Sequence, residues 1–147
     1  MKKVDYSLYL EMSPSEIKQL QKTKGWALSL IGLIVYGVLI LFKKKAKDYN
    51  GICPYFEIGT GWGGVEFGWF FICAKDCSEK TKMHEVGHSI ENAAIGGVKI
   101  LGLSVCSAIR YWWRRLFGSK TPYDSWWFEG DATYLGTQYV KKITNKG

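Results

Sequence analysis

Two histidines four positions apart are the residues of this sequence best suited to chemistry. They stand in the run His84-Glu85-Val86-Gly87-His88, and the chain has no other histidine. On a helix, residues four apart project from one face, so both imidazoles can reach one zinc ion at about 2 Å. Zinc lowers the pKa of a bound water to about 7, and Glu85 can take that proton and deliver it to a leaving amine. The run therefore predicts metal-assisted amide hydrolysis.

A third zinc ligand must come from elsewhere, because catalytic zinc takes three protein ligands and keeps one position open. Glu129 is the best candidate, since a carboxylate in the apolar run at 126–130 is costly to bury without a cation beside it. Asp131 is the rival, and on a helix it points away from Glu129, so only one of the two can bind. Thr133 lies four residues after Glu129 and can orient it through its hydroxyl.

A helix must carry the two histidines, and the sequence supplies its start and its end. Asp76, with Glu79 three residues later, predicts a capped N-terminus, and Gly96 predicts the end of a helix over about 77–95. The pattern indicates further strands and helices around it, which together predict an α+β domain. These are strands at 55–58 and 65–74, helices at 98–117 and 126–142, and a cap for the last helix at Asp124 or Ser125.

The most apolar stretch, Trp26–Phe42, has 17 residues and no charge. As a helix it would measure about 25 Å, slightly less than a hydrocarbon core of about 30 Å, and lysines flank both of its ends. It predicts a single membrane-spanning helix, and the alternative is a buried core helix. The denser basic flank, Lys43 to Lys47, favours a C-terminal domain that faces the cytoplasm. The predicted organisation is a polar segment with a short helix capped at Ser13 (1–25), a membrane helix (26–42) and a catalytic domain (48–147).

The net charge of +7 is spread over short basic clusters rather than one stripe. Clusters beside an apolar segment indicate contact with membrane lipid, and no nucleic-acid partner is expected. The clusters are Lys43-Lys44-Lys45, Arg114-Arg115 and Lys141-Lys142.

Of the four cysteines, Cys73 and Cys77 are spaced closely enough to help hold a metal, but no second matched pair completes a cysteine zinc site. We expect four free, mostly buried thiols.

In the histidine run and in the later run Glu129-Gly130-Asp131-Ala132, the chain resembles the zincin superfamily of metallopeptidases and its gluzincin branch. The resemblance implies His84, His88 and Glu129 as zinc ligands, and Glu85 as the catalytic acid/base. It also implies a minimal zincin-like domain whose substrate, a peptide or protein, adds as a strand beside the metal helix. The strand residues concerned are Gly64, Val65, Glu66, Phe67 and Gly68.

The chain also resembles small bacterial and phage proteins that have similar motifs. This second resemblance implies no particular substrate. The shared motifs are Trp62-Gly63-Gly64, the run at 107–112 and the run at 127–133. A peptidase of this kind also needs a donor for the developing oxyanion. The donors available to this chain are Arg110, Tyr111, Tyr123 and Tyr134.

The residues together predict a zinc-dependent metallopeptidase that is tethered to a membrane. One alternative keeps the zinc but not the catalysis, as in a membrane-anchored zinc-binding or regulatory protein. That site would be closed by a fourth ligand such as Cys77 or Asp131. A further alternative is a membrane protein in which the motif is coincidental and no metal binds.

Overall fold

Six helices and one four-stranded sheet make up the part of the chain that the computed structural model describes, residues 4–118, 120–122 and 125–147. The α+β class predicted from the sequence is confirmed. In chain order the elements are α1 (Ser7–Glu11), α2 (Pro14–Thr23), α3 (Trp26–Leu41), β1 (Lys47–Tyr49), β2 (Cys53–Glu57), β3 (Gly64–Glu66), β4 (Phe71–Cys73), α4 (Glu79–Ile95), α5 (Gly97–Phe117) and α6 (Trp127–Lys146).

The sheet is mixed and has the order β1-β2-β4-β3, so β3 lies at one edge. β2 and β4 run parallel, while the other two neighbouring pairs are antiparallel. The prediction of one strand over 65–74 is wrong, because the chain reverses within it. Gly68 has a φ of +87°, and the Phe67 N–H donates to the Phe70 carbonyl at 2.8 Å. Alternating apolar residues continue through the reversal, so the sequence pattern alone does not reveal the turn.

Two helix starts differ from those predicted. α4 begins at Glu79 and its cap is Ser78, whose hydroxyl accepts from the Thr81 N–H at 3.2 Å. Asp76 instead accepts from the Gly61 N–H at 3.0 Å, so its carboxylate holds the loop before β3 rather than the helix. α6 starts after Trp126 with no side-chain cap, so Ser125 does not cap it, and Asp124 lies outside the described residues.

The N-terminal part has one confirmed feature and two that the sequence did not indicate. Ser13 caps α2, and the Glu16 carboxylate accepts a hydrogen bond from the Ser13 N–H at 2.7 Å, as the capping pattern predicts. The preceding residues, expected to be irregular, contain α1, and β1 was not predicted.

All four cysteines are free; Cys53 and Cys73 are buried, whereas Cys106 is exposed.

The main core lies between α4, α6, the sheet and α2. Val86 and Ile90 of α4 pack with Leu135 and Tyr139 of α6, and all four are at most 1% exposed. Burying side chains of this size contributes about 1.5–3 kcal/mol each to stability. The Tyr139 hydroxyl also donates to the Met12 carbonyl at 3.0 Å, which fastens the N-terminal segment to α6.

α4 and α6 approach each other closely because glycines stand where they cross. A Cβ atom added to Gly87 would overlap the Ala132 carbonyl, and one added to Gly136 would overlap the Met83 carbonyl. Gly87, within the histidine run, therefore has a packing role that is separate from chemistry. This close crossing brings the first turns of α6 over the histidines of α4.

α3 is a helix as predicted, and it lies against the domain along one side. Ala27, Leu28 and Gly32 are buried, and Tyr36 contacts Phe56 at a ring distance of 5.1 Å. Within the described residues, no single helix is both long and apolar enough to cross a membrane; α2 and α3 meet that test only together, and the chain bends by 100° between them. The single-pass topology stays a prediction.

Candidate metal centre

Three predicted ligands converge between α4 and α6. The Nε2 atoms of His84 and His88 lie 3.1 and 3.4 Å from one oxygen, Oε2, of Glu129. The two imidazole rings are 4.6 Å apart and nearly perpendicular. All three ligand atoms lie within 4.8 Å of one another. The structure thus brings together the two residues one helical turn apart and the carboxylate that follows 41 positions later.

These separations fit a shared metal ion. Tetrahedral ligands at about 2.0–2.1 Å from zinc stand roughly 3.3 Å from each other, close to the distances from both imidazoles to Glu129. Two histidines and one glutamate are also a donor set that zinc takes in catalytic sites. The group could therefore hold a metal ion, and Glu129 rather than Asp131 completes it.

Glu129 is fully buried, which a lone carboxylate seldom is. Burial by itself would raise the pKa of Glu129, but hydrogen bonds with His84 and His88 outweigh it and hold the pKa well below the ordinary value. The pKa of His88 lies well above the ordinary value for a similar reason. Burial opposes its charged form, but hydrogen bonds to Glu129 and Glu91 favour that form more strongly. The buried carboxylates of Glu129 and Glu91 are thus stabilised by pairing with the imidazoles of His84 and His88.

Two further side chains orient the imidazoles. Thr133 Oγ1 lies 2.9 Å from Nδ1 of His84, and Glu91 Oε2 lies 2.8 Å from Nδ1 of His88. Each oxygen can accept a hydrogen bond from the Nδ1–H group. That tautomer leaves the Nε2 lone pair free to bind a metal. Thr133 was predicted to orient Glu129 and instead contacts His84, because α6 turns its hydroxyl toward α4. Glu91 was missed, although its position three residues after His88 on one helix face was a readable signal.

Glu85 lies on the side of α4 that faces β3, and it is 4% exposed. Burial raises its pKa; the charges of His84 and His88 oppose that rise and the charge of Glu129 adds to it. Its carboxylate therefore lies within the field of the three candidate ligands without being one of them. A Cβ atom added to Gly64 would stand 2.8 Å from Oε1 of Glu85, so a larger residue there would require the Glu85 side chain to shift.

Among the predicted oxyanion donors, Tyr111 is the one that lines the space beside Glu85. Its hydroxyl accepts from the Gly63 N–H and from the Arg115 guanidinium, each at 3.2 Å, so its own proton remains available for donation. Arg110 is engaged elsewhere, with Pro122, Ser125 and the Trp126 ring. Tyr134 is 59% exposed on α6, and Tyr123 lies outside the described residues.

Two spaces open on either side of Glu85. One, of about 270 Å³, is called the apolar cavity; its walls are mainly apolar side chains from the β3 region, α5 and α6. They include Trp62, Val65, Ile100, Leu103, Trp112 and Phe128. The other, of about 500 Å³, is called the basic cleft and is lined by Lys80, Thr81, Arg114, Arg115 and Thr133. Gly64, Glu85 and Tyr111 line both, so the two spaces meet at these residues.

The predicted substrate strand is only partly a strand. Gly64, Val65 and Glu66 form β3 at the sheet edge, whereas Phe67 and Gly68 belong to the turn before β4. Glu66 is buried, and Val65 is partly exposed at 38%.

Comparisons of this chain with protein-family models, with curated proteins and with solved structures gave no match. The zincin resemblance therefore rests on the two short runs that carry His84, Glu85, His88 and Glu129.

Proposed function

We propose that the protein is a zinc-dependent metallopeptidase. The observation that carries this proposal is the position of Glu85, buried beside a group of two imidazoles and one carboxylate, with open space on both sides. Zinc, when bound by His84, His88 and Glu129, supplies a Lewis acid that polarises a carbonyl and makes water a stronger nucleophile at neutral pH.

The surrounding residues suit the remaining steps of amide hydrolysis. Glu85 takes the proton from the attacking water and passes it to the leaving amine, and its raised pKa brings it closer to the working pH of a general base. The Tyr111 hydroxyl donates to the developing oxyanion. The free edge of β3 offers backbone groups to an extended peptide, which would hold the scissile bond against Glu85.

The non-catalytic alternative requires a fourth protein ligand. Among the described residues, the group that could hold a metal has three members, and neither Cys77 nor Asp131 belongs to it. Asp131 lies two residues from Glu129 on α6, so its side chain leaves the helix in another direction. A three-ligand group favours a site with an open position, as catalysis needs.

We also propose that the domain is attached to a membrane through α3 and α5. These helices contact each other, and both present large apolar side chains to solvent. They include Leu33, Ile34 and Leu41 on α3, and Ile109, Leu116 and Phe117 on α5, all at least 60% exposed. Exposed lysines at 43–45 and Arg115 lie at the ends of these helices, which suits an anionic lipid surface. For the predicted single-pass topology, the same lysines favour a domain that faces the cytoplasm.

We expect the protein to sediment with vesicles that contain anionic phospholipid and to bind less to purely zwitterionic ones. Substituting Ile34→Asn together with Ile109→Asn will weaken that binding at least about tenfold, because each buried apolar side chain contributes about 1.5–3 kcal/mol. The matched control is Leu8→Asn, an equally exposed position on α1. Protein that stays in the supernatant, or a control that acts like the double variant, would argue against the attachment.

The peptidase proposal is tested with purified protein, a diverse peptide pool and mass spectrometry of the products. Chelator-treated protein should leave the pool intact, and zinc should restore cleavage. A zinc-loaded protein that cleaves nothing would speak for the non-catalytic alternative.

A further inference from the structure

We propose that the site selects peptides that place a bulky apolar side chain on one side of the scissile bond and a carboxylate on the other. The apolar side chain enters the apolar cavity and the carboxylate lies in the basic cleft. This inference rests on the proposed peptidase function, for which it names the substrate class. Its basis is that the two spaces differ in chemistry and meet at Glu85 and Tyr111.

The apolar cavity is large enough for one large side chain. Its 270 Å³ far exceeds the roughly 10–15 Å³ that a single water needs. Ile100, Leu103 and Phe128 supply much of its wall, and the polar groups from α5 are the hydroxyls of Ser104, Ser107 and Tyr111. A leucine or phenylalanine side chain that enters this space leaves water for an apolar surface, which is the main source of affinity in such pockets.

Glu66 and Glu91 also line the apolar cavity, and they could instead suggest a cationic occupant. Glu91 is already paired with His88. Oxygen Oε1 of Glu66 is buried and has no hydrogen-bond partner, so it offers almost no accessible surface to an occupant. Apolar side chains nevertheless make up most of the wall, so the geometry favours an apolar occupant over a lysine or an amino terminus.

Lys80 and Arg115 bring positive charge to the basic cleft. No ion pair among the described residues neutralises Lys80 or Arg115; Arg115 donates only to the neutral oxygens of Gly61 and Tyr111. Arg114, the neighbouring residue on α5, also lines the cleft. Cations that converge on an open cleft attract a carboxylate, which can come from an aspartate side chain or from the end of a peptide chain.

Short peptides with a central Ala-Ala bond test this selectivity. They carry Leu, Phe or Lys on one side and Asp or Lys on the other, in both orders along the chain, as free acids and as amides. Two quantities are measured: kcat/KM with zinc-loaded protein, and Kd by calorimetry with the Glu85→Gln variant. We expect peptides with an apolar residue and a carboxylate to exceed those with lysine at either position by about tenfold or more. A preference among amides identifies the side-chain carboxylate, whereas a gain confined to free acids identifies the chain end.

Two pairs of variants assign the preference to the two spaces. Ser104→Phe fills the apolar cavity and should lower the preference for Leu and Phe, whereas Val105→Phe, on the exposed face of α5, should not. Lys80→Glu should reduce the preference for a carboxylate about tenfold, whereas Lys75→Glu, outside the basic cleft, should leave it unchanged.

The outcomes separate this inference from the proposed function. Cleavage without a preference, or with a preference for lysine in place of Leu and Phe, overturns the selectivity and leaves the peptidase standing. Selective binding without cleavage keeps the selectivity and overturns the peptidase. If no peptide is bound or cleaved, both fail.

Discussion

Replacing Glu85 by Gln should lower the rate of peptide hydrolysis about 10²- to 10⁴-fold while zinc still binds. Glutamine keeps the shape of the buried side chain but cannot accept a proton. His84, His88 and Glu129 keep their positions, because Glu85 is not one of the candidate ligands. The measurement is kcat/KM on a cleaved peptide, with zinc content and the unfolding curve of each variant determined in parallel. Loss of activity without loss of zinc identifies Glu85 as the group that moves the proton.

Two further variants sharpen that result. Glu85→Asp retains a carboxylate but shortens it, so its activity should fall between those of the wild type and Glu85→Gln. Glu79→Gln changes an exposed glutamate in the first turn of the same helix and should leave the rate unchanged. If Glu85→Gln hydrolyses peptides as fast as the wild type, another group is the base and our assignment is wrong.

Replacing Gly87 by Ala should both destabilise the fold and weaken zinc binding. The new methyl group would overlap the Ala132 carbonyl, so α6 must move away from α4. Overpacking of this kind typically costs about 1–3 kcal/mol of unfolding free energy. Because Glu129 is carried by α6, the movement also separates it from both imidazoles, and we expect zinc affinity to fall about 10- to 100-fold. Denaturant unfolding measures the first effect and zinc titration the second.

Gly102→Ala is the matched control for this substitution. Gly102 lies on α5, where an added Cβ atom meets nothing within 4 Å. Alanine is the better helix former, so this variant should gain up to about 1 kcal/mol and bind zinc normally. If Gly87→Ala is as stable as the control and retains zinc affinity, the close crossing does not set the geometry of the site.

The ligand group was predictable from sequence because local rules determine most of it. Helical periodicity puts His84 and His88 on one face, and the cost of burying a carboxylate in an aromatic run singles out Glu129. The structure brings these three residues together. Only Thr133 changed partner, since the rotation of α6 against α4 depends on how the helices pack.

The parts that could not be predicted depend on contacts distant in sequence. Gly87 looks like a variable position within the motif, and its role becomes visible only when Ala132 is placed against it. The run at 65–74 alternates as one strand would, but a left-handed glycine at Gly68 divides it into two. Asp76 has the spacing of a helix cap, yet its carboxylate binds the Gly61 N–H across a loop.

Peptide hydrolysis measured against zinc equivalents tests the central claim most directly. Metal-free protein is titrated with zinc, and the cleavage rate of a peptide from the pool is followed at each addition. We predict that the rate rises from the background and reaches a plateau at one zinc per chain, and that His84→Ala, His88→Ala and Glu129→Ala lose the rise. Cleavage that does not depend on zinc, or a rise that persists in these variants, would contradict the proposed metallopeptidase.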